Sequence, residues 1–140
     1  MALMHPIKIN HVAIVAPDMD GALHFWRDAL GLELHRTEYN AAEAVDVAFL
    51  AVGDSEIELL TPTTGDSGIA KYLEKRGPGF HHLCVEVEDI VAAMDHLRGQ
   101  GVELINEIPR QRPNGILYAF VHPRSAGGVM VELYQLPAGN

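Results

Sequence analysis

The sequence predicts an α+β fold built from two tandem βαβββ modules, and three observations lead to it. Residues 10–34, NHVAIVAPDMDGALHFWRDALGLEL, align with residues 81–104, HHLCVEVEDIVAAMDHLRGQGVEL. His11 falls on His82, Asp18 on Asp89 and Arg27 on Arg98, with Gly31 on Gly101 after a one-residue gap. Each aligned stretch switches from alternating to helical periodicity, the signature of strand followed by helix. Each is then followed by a hairpin pattern that ends in a similar strand, Ile57-Glu58-Leu59-Leu60 and Val131-Glu132-Leu133-Tyr134.

Taken in order, the first strand alternates Val12, Ile14 and Ala16 on one face with His11, Ala13 and Val15 on the other. Asp18 caps a helix expected over 19–30, with Met19, Ala22, Leu23, Trp26, Ala29 and Leu30 inward, and Gly31 stops it. Val45 to Val52 lead through Gly53-Asp54 into the strand carrying Glu58. Ser67 to Arg76 reads as a short helix with Ile69, Tyr72 and Leu73 inward. In the second module, Leu83, Val85 and Val87 oppose His82, Cys84 and Glu86, and a helix near 89–99 turns Ile90, Ala93, Met94 and Leu97 inward. Residues 116–122 and a turn over 123–128 lead to the last strand. A single domain over 1–140 is expected, with a first half at about 7–61, a linker helix at about 66–76 and a second half at about 80–136.

The composition sets outer limits. The chain has 140 residues, 48% hydrophobic and 21% charged, which is globular rather than disordered. Apolar stretches such as 45–52 are too short to span a bilayer. The start, MALMHPIKIN, lacks signal-peptide regions, and the one cysteine, Cys84, fits a reducing compartment, so a cytoplasmic location is expected. A net charge of −9 argues against general nucleic-acid binding.

The repeat also pairs His11 with His82 and Glu58 with Glu132, all on the strand face turned away from the helices. A strand glutamate is ordinarily solvent-facing, and a lone histidine is ordinarily a core or rim residue. Four such groups in register on one face point instead to a borderline divalent metal, such as Zn, Co, Ni, Mn or Fe. His81 aligns with Asn10 and is assigned a structural role.

The stretches NHVAIVAPDMDGALHFWRDALGLELHR, VAFLAVGDSEIELLTP, GFHHLCVEVEDI and FVHPRSAGGVMVELYQ resemble the vicinal oxygen chelate superfamily and, within it, the methylmalonyl-CoA epimerase family. The resemblance covers residues 7–136. It implies sheets closed into a cup around a metal, with His11, Glu58, His82 and Glu132 as ligands. It favours cobalt, with zinc, nickel or manganese as alternatives. It also implies inversion of the α-carbon of methylmalonyl-CoA through an enolate by two bases, for which Glu132 and Glu58 are the candidate pair. One departure stands out: some epimerases carry a catalytic glutamate where this chain has Val47, and Asp46 should point to the other face.

An acyl-CoA thioester is polyanionic, so Arg110 and Arg112 in PRQRPNG are the candidate substrate contacts. A homodimer is expected from the way the superfamily pairs its sheets, with no nucleic-acid or membrane partner. Two other readings share the fold. One is a glyoxalase I-like lactoylglutathione lyase with the same metal site, and the other is a metal-free small-molecule-binding protein. A ring-cleaving dioxygenase site, with two histidines and one carboxylate, would leave Glu58 unexplained.

Overall fold

A computed structural model describes residues 5–138. The elements follow the predicted order: β1 (Pro6–Val15), α1 (Met19–Leu23), β2 (Glu33–Asn40), β3 (Val45–Val52), β4 (Ser55–Pro62), α2 (Gly68–Arg76), β5 (Gly79–Val87), α3 (Ile90–Gly99), β6 (Arg110–Gln111), β7 (Leu117–Val121) and β8 (Val131–Gln135). The fold is α+β, with two βαβββ modules. The chain forms two compact units, one of residues 11–81 and one of residues up to 10 together with 82 onward. It passes from one to the other within β1, at Asn10/His11, and within β5, at His81/His82.

In the unit 11–81 the strand order is β2-β3-β4-β1, with β1 parallel to β4 and the other pairs antiparallel. Gly53, at φ +56°, takes the left-handed conformation that the tight turn between β3 and β4 requires. Alternation splits the apolar residues between two layers. Ala48, Leu50 and Leu59 pack with Leu23, Met19 and Trp26 beneath α1. Ala13, Val15, Val47, Phe49 and Leu60 form the opposite layer and pack against Ile69, Tyr72 and Leu73 of α2. The face that carries His11 is thus turned away from α1, but α2 covers part of it.

The first helix departs from expectation. Asp18 caps it, accepting from the Gly21 N–H at 2.7 Å, but after Leu23 the chain runs as a π-helical turn over His24–Ala29. The Leu30 N–H donates to the Phe25 carbonyl at 2.8 Å, five residues back. The wider turn rotates Ala29 and Leu30 out of the predicted inner face, and Leu30 is 53% exposed. The first half carries one residue more between Arg27 and Gly31 than the second does between Arg98 and Gly101. The π turn absorbs that residue.

In the second unit the order is β5-β8-β7-β6, with β5 parallel to β8, so it repeats the pairing of the first. Asp89 caps α3, whose Ile90, Ala93 and Met94 are buried against Val87, Ala119 and Leu133. The strand after α3 is reduced to Arg110–Gln111 and a bridge between Leu104 and Val121. There the Asn106 side chain accepts from the Phe120 N–H at 2.8 Å, replacing a ladder bond. Pro109 and Pro113, which lack a donor, confine regular pairing to two residues.

Candidate active site

Each unit contains one buried histidine beside one glutamate. In the unit 11–81, β1 and β4 pair in parallel so that Ala13, two residues beyond His11, lies opposite Glu58. His11 Nδ1 is 3.2 Å from Glu58 Oε2, and the side chains are 1% and 12% exposed. In the other unit, Cys84, two residues beyond His82, lies opposite Glu132 in the parallel pair β5 and β8. His82 Nε2 is 3.1 Å from Glu132 Oε1, with exposures of 9% and 1%. The same register therefore produces the same contact twice, through different ring nitrogens.

The antiparallel neighbours repeat as well. Phe49 lies opposite Glu58, and Phe120 lies opposite Glu132, with its ring edge-on to His82 at 5.8 Å. Sequence reasoning missed these phenylalanines, although the shared Ala-Phe of Val-Ala-Phe-Leu and Tyr-Ala-Phe-Val marked them. Both phenylalanines share the pleat face of their glutamate and wall it with apolar surface. Burying an ionised carboxylate in such a place requires a charged or hydrogen-bonding partner.

Arginines stand near both glutamates. Arg36 stacks on Phe49 at 3.8 Å and bonds Glu38 at 2.6 Å. The Glu38 hydrogen bond, working against partial desolvation, holds the Arg36 guanidinium above its ordinary pKa, and Glu56 and Glu58 add to the effect. Arg112 contacts the glutamate directly, with Nη2 3.3 Å from Glu132 Oε2. It lies over Tyr118 at 4.1 Å and near Tyr134 at 5.7 Å. Burial pulls its pKa down, but Tyr134 and Glu132 more than offset this and hold it above the ordinary value. Arg110 is exposed on β6, so the two arginines of this segment are placed differently.

Other predicted residues fall as follows. Val47 is 7% exposed, packed in the apolar layer with Ala13, Leu60 and Ile69, so no carboxylate stands at that position. Asp46 is exposed on the α1 side of β3, where it lines a cavity with Met19, Thr37, Glu38 and Tyr39. His81 stacks edge-on with Tyr72 at 4.6 Å. His122 caps the short 3-10 turn Pro123–Ala126, its Nδ1 accepting from the Arg124 N–H at 3.2 Å. Buried imidazole and carboxylate donors of this kind fit a borderline divalent ion.

The matching registers and the repeated histidine–glutamate pair define a class. The chain belongs to the Glyoxalase/Bleomycin resistance protein/Dioxygenase superfamily, whose sequence model matches residues 10–120. Within it, the chain is a member of the methylmalonyl-CoA epimerase family. An ethylmalonyl-CoA/methylmalonyl-CoA epimerase of Cereibacter sphaeroides is 38% identical over 131 residues, 92% of this chain and 98% of that protein. The crystal structure of methylmalonyl-CoA epimerase from Mycobacterium tuberculosis superposes with a TM-score of 0.87 at 36% identity, covering 99% of this chain and 93% of that one. A methylmalonyl-CoA epimerase in complex with methylmalonyl-CoA and ammonium superposes at 0.84 with 33% identity, over 96% and 97% of the two chains.

Proposed function

We propose that this chain is a metal-dependent epimerase that inverts the α-carbon of methylmalonyl-CoA. The observation that supports it most is the duplicated histidine–glutamate pair, buried and in matching register in both units. The proposed ligands are His11, Glu58, His82 and Glu132, with cobalt favoured and zinc, nickel or manganese as alternatives. When bound, such an ion supplies Lewis-acid stabilisation of negative charge on a carbonyl oxygen.

The chain's own groups handle the proton. Inversion requires one group to take the α-proton and a second to return it. With valine at position 47, Asp46 on the α1 side and Glu86 bonded to Asn10, we take the repeated pair for the task. We assign one role to Glu132 and the other to Glu58. Phe120, opposite Glu132 in the ladder, limits water beside that carboxylate. Arg110, exposed, is the proposed contact to the coenzyme A phosphates, and Arg112, turned to Glu132, is proposed to act on the acyl end through that carboxylate rather than by direct contact.

The test is exchange of the α-proton of methylmalonyl-CoA with D2O. Glu132→Gln should cut exchange by roughly a hundredfold or more while the chain stays folded. Near-normal exchange in that variant would remove Glu132 from the mechanism.

A homodimer is proposed on the family resemblance, and sedimentation should return twice the chain mass. The single buried cysteine supports a reducing compartment, for which the cytoplasm is proposed. No helix among the described residues is long and apolar enough to cross a membrane.

A further inference from the structure

We infer that Arg112 is a positioning residue that fixes the carboxylate of Glu132. The inference rests on the epimerase reading, in which Glu132 moves the proton. His82 Nε2 lies 3.1 Å from Oε1, and Arg112 Nη2 lies 3.3 Å from Oε2, so the two oxygens of one carboxylate face different partners, Oε1 the ring on the proposed metal side and Oε2 the guanidinium. The terminal torsion of a glutamate is broad when only one oxygen is held. With Oε1 turned to His82 of β5, a donor on Oε2 from the segment after β6 removes that freedom.

Arg112 is itself held firmly. Its N–H donates to the Ile116 carbonyl at 2.9 Å, and its own carbonyl accepts from the Gly115 N–H at 2.9 Å, which closes the loop tightly. Tyr118, at 4.1 Å, supports the guanidinium plane. The Nε atom, however, is buried with no hydrogen-bond partner among the described residues. Leaving such a donor unmatched is costly, so the seat is not one that satisfies the guanidinium alone. The contacts with Glu132 and with Tyr134, the residue two positions on in β8, account for it. An arginine whose task was to grip a distant phosphate would lie exposed, as Arg110 does.

Steady-state kinetics of the metal-loaded enzyme test this with Arg112→Met and Arg112→Lys. The methionine variant should lose about tenfold to a hundredfold in kcat, because a misplaced catalytic group costs rate, with KM changed by less than about threefold. Millimolar guanidinium ion should restore part of the rate, and the lysine variant should fall between the two. A second readout needs no activity. Melting temperatures of the metal-free protein, Arg112→Met, Glu132→Gln and the double variant should be non-additive.

A raised KM at unchanged kcat would make Arg112 a substrate contact and overturn the inference. Additive melting shifts, with no rescue by guanidinium or lysine, would reduce it to a packing residue and overturn it equally. If the unaltered enzyme exchanges no α-proton from methylmalonyl-CoA, the epimerase reading fails instead, while the melting cycle still reports on the Arg112–Glu132 pair.

Discussion

His81 and His82 are neighbours with different surroundings, and the pleat separates them. Successive side chains of β5 point to opposite faces. His81 turns to Tyr72 of α2, whose hydroxyl donates to the Phe80 carbonyl at 2.9 Å. His82 turns to Glu132. His82→Ala should therefore abolish stoichiometric divalent metal in the purified protein, whereas His81→Ala should retain it; elemental analysis of both variants decides the matter. Parity and the repeat made this distinction readable in the sequence, as they did the placement of His11 and Glu58 on the strand face turned away from α1, though not their contact. The contact of Arg112 with Glu132 was not readable. It joins residues 20 apart through a loop whose path no periodicity dictates. The fate of Val47 was half legible: its alternation with Asp46 was plain, but its packing partner Ile69 comes from α2.

Elements were legible where local chemistry specified them. Asp18, Ser67 and Asp89 each accept from a backbone N–H three residues on, as their positions before helical periodicity predict. Asp18→Ala should cost about 1 kcal/mol of stability, read from denaturant unfolding. Ile69→Ala, at 6% exposure beneath Val47 and Leu60, should cost roughly 2 to 5 kcal/mol because it opens a cavity. The π turn and the shrunken β6 were not legible. The gap in the repeat announced an extra residue, but periodicity alone does not say whether a helix loops out, frays or widens to hold it. Deleting Ala29 should restore ordinary i→i−4 bonding and leave the chain folded with an unchanged cooperative melt, because the second half already closes with the shorter spacing.

For the molecule as a whole, the proposed ligand set alone does not choose between a coenzyme A thioester and a glutathione hemithioacetal, since either reaction moves a proton next to a carbonyl. Direct assays with both should show turnover of methylmalonyl-CoA and none of the hemithioacetal. The division of the chain has a separate consequence. Pro6–Asn10 belong to the unit completed by residues 82 onward, and the Asn10 side chain donates to Glu86, 76 residues away, at 3.2 Å. Residues 11–81 can close their own sheet and both of their apolar layers while synthesis is still under way. The first five residues of β1 cannot. They are made before residues 11–81 yet find their neighbours only after them, so the nascent chain carries an unmatched strand end until β5 has been made. That end includes Ile7 and Ile9, which remain 54% and 47% exposed even after folding. Such a segment invites pairing with another chain.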